Sequence, residues 1–141
     1  MSSPQPSTQR DRREAIVRAH AAAENAGDLD ATIASFHRPR YHVPPMGVIS
    51  EGEEAVRQLV GGMVGAFPDF HFEIGRWHHA DDAVIVEGVM TGTHKGHFAG
   101  IEPRGHRMEV PVVCIFDFED DRLVNESVYF DFATIQRQLT A

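Results

Sequence analysis

The stretch NESVYFDFATIQRQL at residues 125–139 places a carboxylate, Asp131, between Phe130 and Phe132, where strand-like alternation gives way to helical spacing. That alternation sets Asn125, Ser127, Tyr129 and Asp131 on one face. A carboxyl in apolar surroundings has its pKa raised toward neutrality, so that it can take a proton and later return it. Tyr129, sharing the face, is placed to donate a hydrogen bond to a developing oxyanion. Two plainer readings fit the same residues: Asp131 as the first-turn acid of a helix, and the polar face as one that meets water. His42, in YHVPP, is a second candidate, because an ordinary imidazole pKa of about 6.5 suits proton shuttling; a structural histidine is the equal alternative.

Other residues carry weaker signals. Glu87 interrupts the apolar run AVIVEGVM; a buried carboxylate there needs a partner or a shifted pKa, and a cross-strand arginine would account for it without function. Phe67, Trp77, Met90, Phe98 and Met108 suit a cavity wall or plain core. Cys114, among valine, isoleucine and phenylalanine, reads as a small buried hydrophobe rather than a nucleophile. Nine histidines raise the question of a metal. His78 and His79 point to opposite faces of a strand, however, and His94 and His97 sit in a glycine-rich loop without the i, i+4 spacing of zinc proteases. Neither a metal nor another cofactor is expected.

The elements that must position these residues fall into two halves. RDRREAIVRAHAAAENAG is an alanine-rich helix with Ile16, Ala19, His20 and Ala23 on one face, closed by Gly27; Asp28 then caps a second helix over DLDATIASFH. The prolines of RPRYHVPP stop the helical run and leave a short extended piece at 41–43. SEGE at 50–53 fits a capping box, with Ser50 as N-cap, ahead of a third helix bearing Val56, Leu59, Val60, Met63 and Phe67 and ended by Pro68. Beyond residue 70 four strands follow, FHFEIGRWHH, AVIVEGVMTGTH, RMEVPVVCIFDF and RLVNESVYFD, joined by the acidic turns ADDA and EDDR and one long loop, KGHFAGIEPRGH. Helices gathered before an antiparallel sheet make an α+β domain. AVIVEGVM and VPVVCIF are apolar on both alternating faces, so both sides of the sheet should be covered, one by helices and the other by a second copy in a homodimer.

Composition sets the limits. The chain has 141 residues, 42% apolar and 24% charged, enough for one domain that buries roughly 70% of its unfolded surface. The first nine residues read as a disordered lead without the apolar run of a signal peptide, leaving residues 10–141 as the domain. A net charge of −8 repels phosphate backbones, so nucleic acid is not an expected partner. The basic cluster of Arg10, Arg12 and Arg13 is best read as a solvated helix start. No apolar run approaches a membrane span, and a single cysteine excludes an internal disulfide, making cytoplasmic residence the default expectation.

AENAGDLDATIASFH, GTHKGHFAGIEPRGHRMEV and CIFDFEDDRLVNESVYFDF together resemble the SnoaL-like polyketide cyclases, a group within the nuclear transport factor 2-like fold that also contains the ketosteroid isomerases. The resemblance covers nearly the whole chain from about residue 12. It implies helices closing over a strongly curved sheet to make a cone-shaped cavity. It further implies an acid/base aspartate at the position of Asp131, supported by His42 in a His-x-Pro pattern and by Tyr129, for aldol-type ring closure or a related isomerisation of a hydrophobic carbonyl compound. His20 falls where ketosteroid isomerases carry an oxyanion-stabilising tyrosine, while the position of their general base is taken by Pro44. Ser127 stands where family members often carry tryptophan, which should widen or wet the cavity. On this reading His20, Phe67, Trp77, Glu87, Phe98, Met108, Cys114 and Ser127 surround a hydrophobic small molecule. The alternative use of the same cone is to bind such a ligand without turnover.

Overall fold

Thr8 opens the first helix by accepting a hydrogen bond from the Asp11 backbone N–H while Asp11 reaches back to the Thr8 backbone, a reciprocal cap that ties down two otherwise unpaired donors. The structure, a computed structural model, describes residues 8–141. The disordered lead expected over the first nine residues therefore falls largely outside the described residues, and Thr8 and Gln9 already belong to the helix start.

Helix α1 spans Gln9–Asn25 and α2 Leu29–Ala34, with Gly27 in the left-handed region at φ 67 between them and the Asp28 side chain capping α2. Strand β1 (Arg40–Val43) and strand β2 (Val48–Glu51) form a hairpin around a 3-10 turn at Pro44–Met46. This hairpin corrects the capping box expected at Ser50: Ser50 pairs with Tyr41 inside the ladder, and Gly52 stands at the N-cap of α3 (Glu53–Ala66) with no side-chain cap. Strands β3 (His71–His79), β4 (Ala83–Thr93), β5 (Arg107–Glu119) and β6 (Arg122–Tyr129) follow, and α4 (Phe132–Thr140) closes the chain.

The six strands form one sheet in the order β2-β1-β6-β5-β4-β3. β1 runs parallel to β6 and every other pair is antiparallel, so the sheet is mixed rather than purely antiparallel. One face carries the core: Val84, Val86, Val110, Val112, Phe116 and Phe118 join Val17, Val56 and Leu139 from the helices. On that face two β4 glycines make room for curvature. A Cβ on Gly88 would lie 2.1 Å from the Glu73 carbonyl oxygen beside the bulge at Gly75, and one on Gly92 would press into the Phe67 ring.

Arg13 corrects the solvated reading of the basic cluster. It is buried, with Nε donating to the Asp120 carbonyl and Nη1 to the Asp81 carbonyl, both at 2.8 Å, and its guanidinium lies over Phe118. One side chain of α1 thus pins both acidic hairpin turns. At the other end of α1, the Asn25 amide exchanges two hydrogen bonds with the Phe72 backbone, fixing the helix across β3. Together these anchors hold α1 rigidly over the sheet, which sets the position of His20 midway along it.

Candidate active site

Strand parity decides which side chains can work together. On β6, Glu126 and Val128, with Phe130 just beyond, point to the helix-covered face; on β1, Tyr41 and Val43 do. Between this wall, α3, the loop at 95–106 and α4 lies a cavity of about 300 Å³. Phe67, Phe70, Phe72, Phe98, Met63 and Met108 make most of its surface apolar, and Ile135 of α4 closes one side. Gln58, Gly62, His97 and Ala99 line it where α3 and the loop reach solvent, whereas Tyr41, Cys114 and Glu126 at the other end are buried.

That inner end is where the polarity is concentrated. His20 is fully buried, and its Nε2 faces Glu126 Oε1 at 2.7 Å, the Tyr41 hydroxyl at 3.0 Å and Glu24 Oε1 at 3.1 Å. Tyr41 donates to Glu24 Oε2 at 3.1 Å. On the far side of the ring, Nδ1 lies 2.7 Å from Ser35 Oγ, whose own hydroxyl donates to the Thr32 carbonyl. Ser35 is therefore an acceptor for Nδ1–H, which leaves Nε2 as the nitrogen whose proton is shared with the carboxylates. Phe36 and Phe116 set their rings edge-on to the imidazole and hold its plane.

The cluster holds on to protons. Burial alone would lower the His20 pKa, but the charges of Glu24 and Glu126 and their hydrogen bonds outweigh it and raise it to about 10. Glu126 is pushed up as well, by burial first and by the Glu24 charge second, with His20 opposing. Burial, together with Glu126 and Glu24, drives Tyr41 well above its ordinary value, so it stays a hydrogen-bond donor. The same causes raise Cys114, which stays a neutral thiol, in keeping with the small buried hydrophobe expected of it.

Of the residues expected at the site, Phe67, Met90, Phe98, Met108 and Cys114 line the cavity, and His20 lies directly behind its inner wall. The rest lie elsewhere. Asp131 is exposed at the N-cap of α4, where its carboxylate accepts from the Ala133 and Thr134 backbone N–H groups and from the Thr134 hydroxyl. The Thr134 hydrogen bonds hold its pKa below the ordinary carboxylate value, the reverse of the rise expected for a pocket acid. Tyr129 is 42% exposed, and Ser127 accepts from Asn125 Nδ2; both belong to the opposite face of β6. His42 lies on that face of β1, paired with Ile49 and Ser127. Trp77 packs beneath the Arg18 guanidinium rather than against the cavity. Glu87 is on the outer face with His78 at 2.6 Å and Arg76 at 3.6 Å, so the cross-strand arginine accounts for it, with a histidine as the nearer partner.

Sequence reasoning misses Glu24, Tyr41 and Glu126, although the two acids leave a trace. Glu126 is the one acid in the parity set Val124, Glu126, Val128 and Phe130, and Glu24 follows His20 at i, i+4 on α1. His20, Glu24 and Glu126 also present ligand atoms close enough to one another to hold a metal ion; the hydrogen bonds among them, with Tyr41, already give each group a partner.

Comparison with known proteins agrees with this architecture. A family model described as SnoaL-like polyketide cyclase matches residues 14–139. No curated protein matches. Among solved structures, a protein assigned as a SnoaL-like polyketide cyclase from Jannaschia sp. CCS1 is 19% identical, with 99% of each chain covered and a TM-score of 0.85. One assigned as a polyketide cyclase from Xanthomonas campestris pv. campestris is 21% identical over 94% of this chain and 99% of that one, with a TM-score of 0.84. A Catenulispora acidiphila protein with a ketosteroid isomerase-like fold, solved with trimethylamine, is 21% identical over 89% and 92%, with a TM-score of 0.75. At these identities the solved structures establish the fold, and the match over nearly the whole length establishes more: the chain belongs to the SnoaL-like polyketide cyclase family.

Proposed function

We propose that the chain is a cofactor-independent cyclase or isomerase acting on a hydrophobic carbonyl compound, with its acid/base work done at Glu126, Glu24, His20 and Tyr41 rather than at Asp131. The observation that carries this reading is that the only two carboxylates on the wall of the apolar cavity, among the described residues, converge on one imidazole nitrogen. A carbon acid between two carbonyls needs a base that is poorly solvated and a place for the proton to wait. Glu126 takes the proton on the cavity side; its hydrogen bond to His20 lets the buried cluster hold it; the Tyr41 hydroxyl, turning from Glu24 when substrate is bound, stabilises the enolate oxygen, and the same proton returns to the product alkoxide.

Deuterium exchange tests this without the native substrate. A bicyclic 1,3-dicarbonyl offered in D2O should exchange its α-proton faster with the protein than in buffer, and Glu126→Gln should remove most of that gain while leaving the circular dichroism spectrum unchanged. An equal rate in the variant rejects Glu126 as the base. Holding a hydrophobic ligand without turnover draws on the same cavity, and predicts binding of the probe with no exchange even in the natural chain.

The homodimer belongs to the same proposal. Ile85, Val89, Val113 and Ile115 occupy the outer face of β4 and β5 and take no part in the core, and Val89 and Tyr129 are exposed. A second copy laid on this face would cover them. Light scattering at micromolar concentration should then give twice the 15.7 kDa chain mass; a monomer counts against it. No helix among the described residues is long and apolar enough to cross a membrane, and a lone buried thiol suits a reducing cytoplasm.

A further inference from the structure

We infer that the cavity discriminates by charge at its inner end, accepting hydrophobic ring compounds that present an ammonium or hydroxyl group there and rejecting those that present a carboxylate. The inference deepens the proposed function by naming the ligand class of the same site. Its ground is the composition of the wall: Glu24 and Glu126 face the cavity, and no lysine or arginine lines it among the described residues. Among the described residues, the one basic group paired with both carboxylates is the imidazole of His20, and its ring is committed on one side to Ser35. Two carboxyl groups against one imidazole leave the inner end without a free cation among the described residues to receive an anionic ligand, in a setting where burial weakens screening by solvent.

Hydrogen-bond accounting points the same way. Tyr41 spends its hydroxyl on Glu24, and His20 has one Nε2 proton for two carboxylates, so acceptors outnumber donors where a ligand would end. An incoming donor adds what the cluster lacks; an incoming carboxylate adds a like charge. Phe70 and Phe72 also line the cavity, and aromatic lining favours an ammonium over a carboxylate.

Three probes on one skeleton test this by calorimetry on the full chain at pH 7: 2-naphthylmethylamine, 2-naphthylmethanol and 2-naphthoate. The amine should bind most tightly and the naphthoate least, with the two separated on the order of 100-fold, the scale of a buried like-charge clash. Glu24→Gln should narrow that ratio by about tenfold, since it removes one charge and preserves shape. Gln58→Lys, at an exposed lining position, keeps the inner cluster intact and should narrow it less. Naphthoate binding as tightly as the amine, a ratio unmoved by Glu24→Gln in a folded variant, or no binding of the amine at millimolar concentration each overturns the inference. Equilibrium binding does not need turnover: a charge ranking without deuterium exchange leaves this inference standing and removes the proton-transfer reading, while exchange without the ranking does the reverse.

Discussion

Glu126, on β6, and Asp131, two residues beyond the end of that strand, are five residues apart, and their surroundings differ in nearly every respect. Glu126 faces inward, buried, with its carboxylate against His20, and its affinity for a proton is raised. Asp131 faces solvent, holds the first turn of α4 through three hydrogen bonds, and gives up its proton more readily than an ordinary aspartate. A flanking aromatic on each side does not make an acid useful. What matters is the parity that aims it and the donors already committed to its oxygens. The sharpest way to break this comparison is to neutralise each acid in turn. Glu126→Gln should lower α-deuterium exchange of a bound 1,3-dicarbonyl by about 10²–10⁴-fold, the range of a lost general base. Asp131→Asn should leave the rate within about twofold, since a cap amide oxygen still accepts from the helix. Reversed results would return the chemistry to Asp131.

The next largest effect falls on stability. His20→Leu keeps roughly the volume of the ring but strands Glu24 and Glu126 without a cation, and breaking one side of a buried charge cluster typically costs about 3–5 kcal/mol. Urea denaturation should therefore show a large drop in midpoint for His20→Leu. The double variant His20→Leu with Glu126→Leu should recover part of it, because removing both charges removes the desolvation penalty as well. No recovery in the double variant would mean that the cluster is held by packing rather than by charge.

Much of this architecture was legible in the residues. Alternation in β4, β5 and β6, the turns ADDA and EDDR, and the left-handed Gly27 followed by Asp28 each produced the element expected of them. Strand β2 was not, because a four-residue strand with alternating burial beside a 3-10 turn carries little periodic signal, and its Ser50 imitates a helix cap. The site was harder to read for a different reason. A polar face and an apolar face alternate along β6, and sequence does not say which one a sheet turns inward. The polar set Asn125, Ser127 and Tyr129 lies on the face away from the cavity, while Glu126, which faces it, is the single acid within the apolar set. His20 stands out as a helix histidine, but two of its partners, Tyr41 and Glu126, come from β1 and β6, more than 20 and 100 residues away, a distance across which only the fold brings them together.

The buried cluster and Asp131 also separate on the pH axis. His20 in the folded chain has a pKa of about 10, above the value of about 6.5 it has unfolded. The stability it confers is complete below the unfolded value and is lost as pH rises through the folded one. Asp131 is depressed, so its contribution is present above the ordinary carboxylate value and is lost as pH falls through the lowered one. Thermal midpoints should accordingly decline from pH 7 to pH 10 in the natural chain and decline less steeply in His20→Leu. Asp131→Ala should leave that alkaline limb alone and flatten only the acid limb, by a small amount. A His20→Leu variant with the full alkaline decline would break the assignment.

The smallest effect is expected at a second buried histidine, and it sharpens the point. His94 is as buried as His20, yet neither of its ring nitrogens meets a hydrogen-bond partner among the described residues; its ring lies against Phe67 at 5.5 Å and Phe98 at 6.4 Å between centroids. At this position the imidazole acts as a flat apolar filler behind the cavity wall, carrying a desolvation cost that no partner offsets. His94→Leu should therefore leave stability unchanged or raise it by about 1 kcal/mol, with α-deuterium exchange unaffected, whereas the same substitution at His20 is severe. A loss above about 2 kcal/mol at His94 would mean that its nitrogens are satisfied after all. The contrast between a partnered and an unpartnered buried histidine would then no longer mark the inner end of the cavity as the place where this fold concentrates its chemistry.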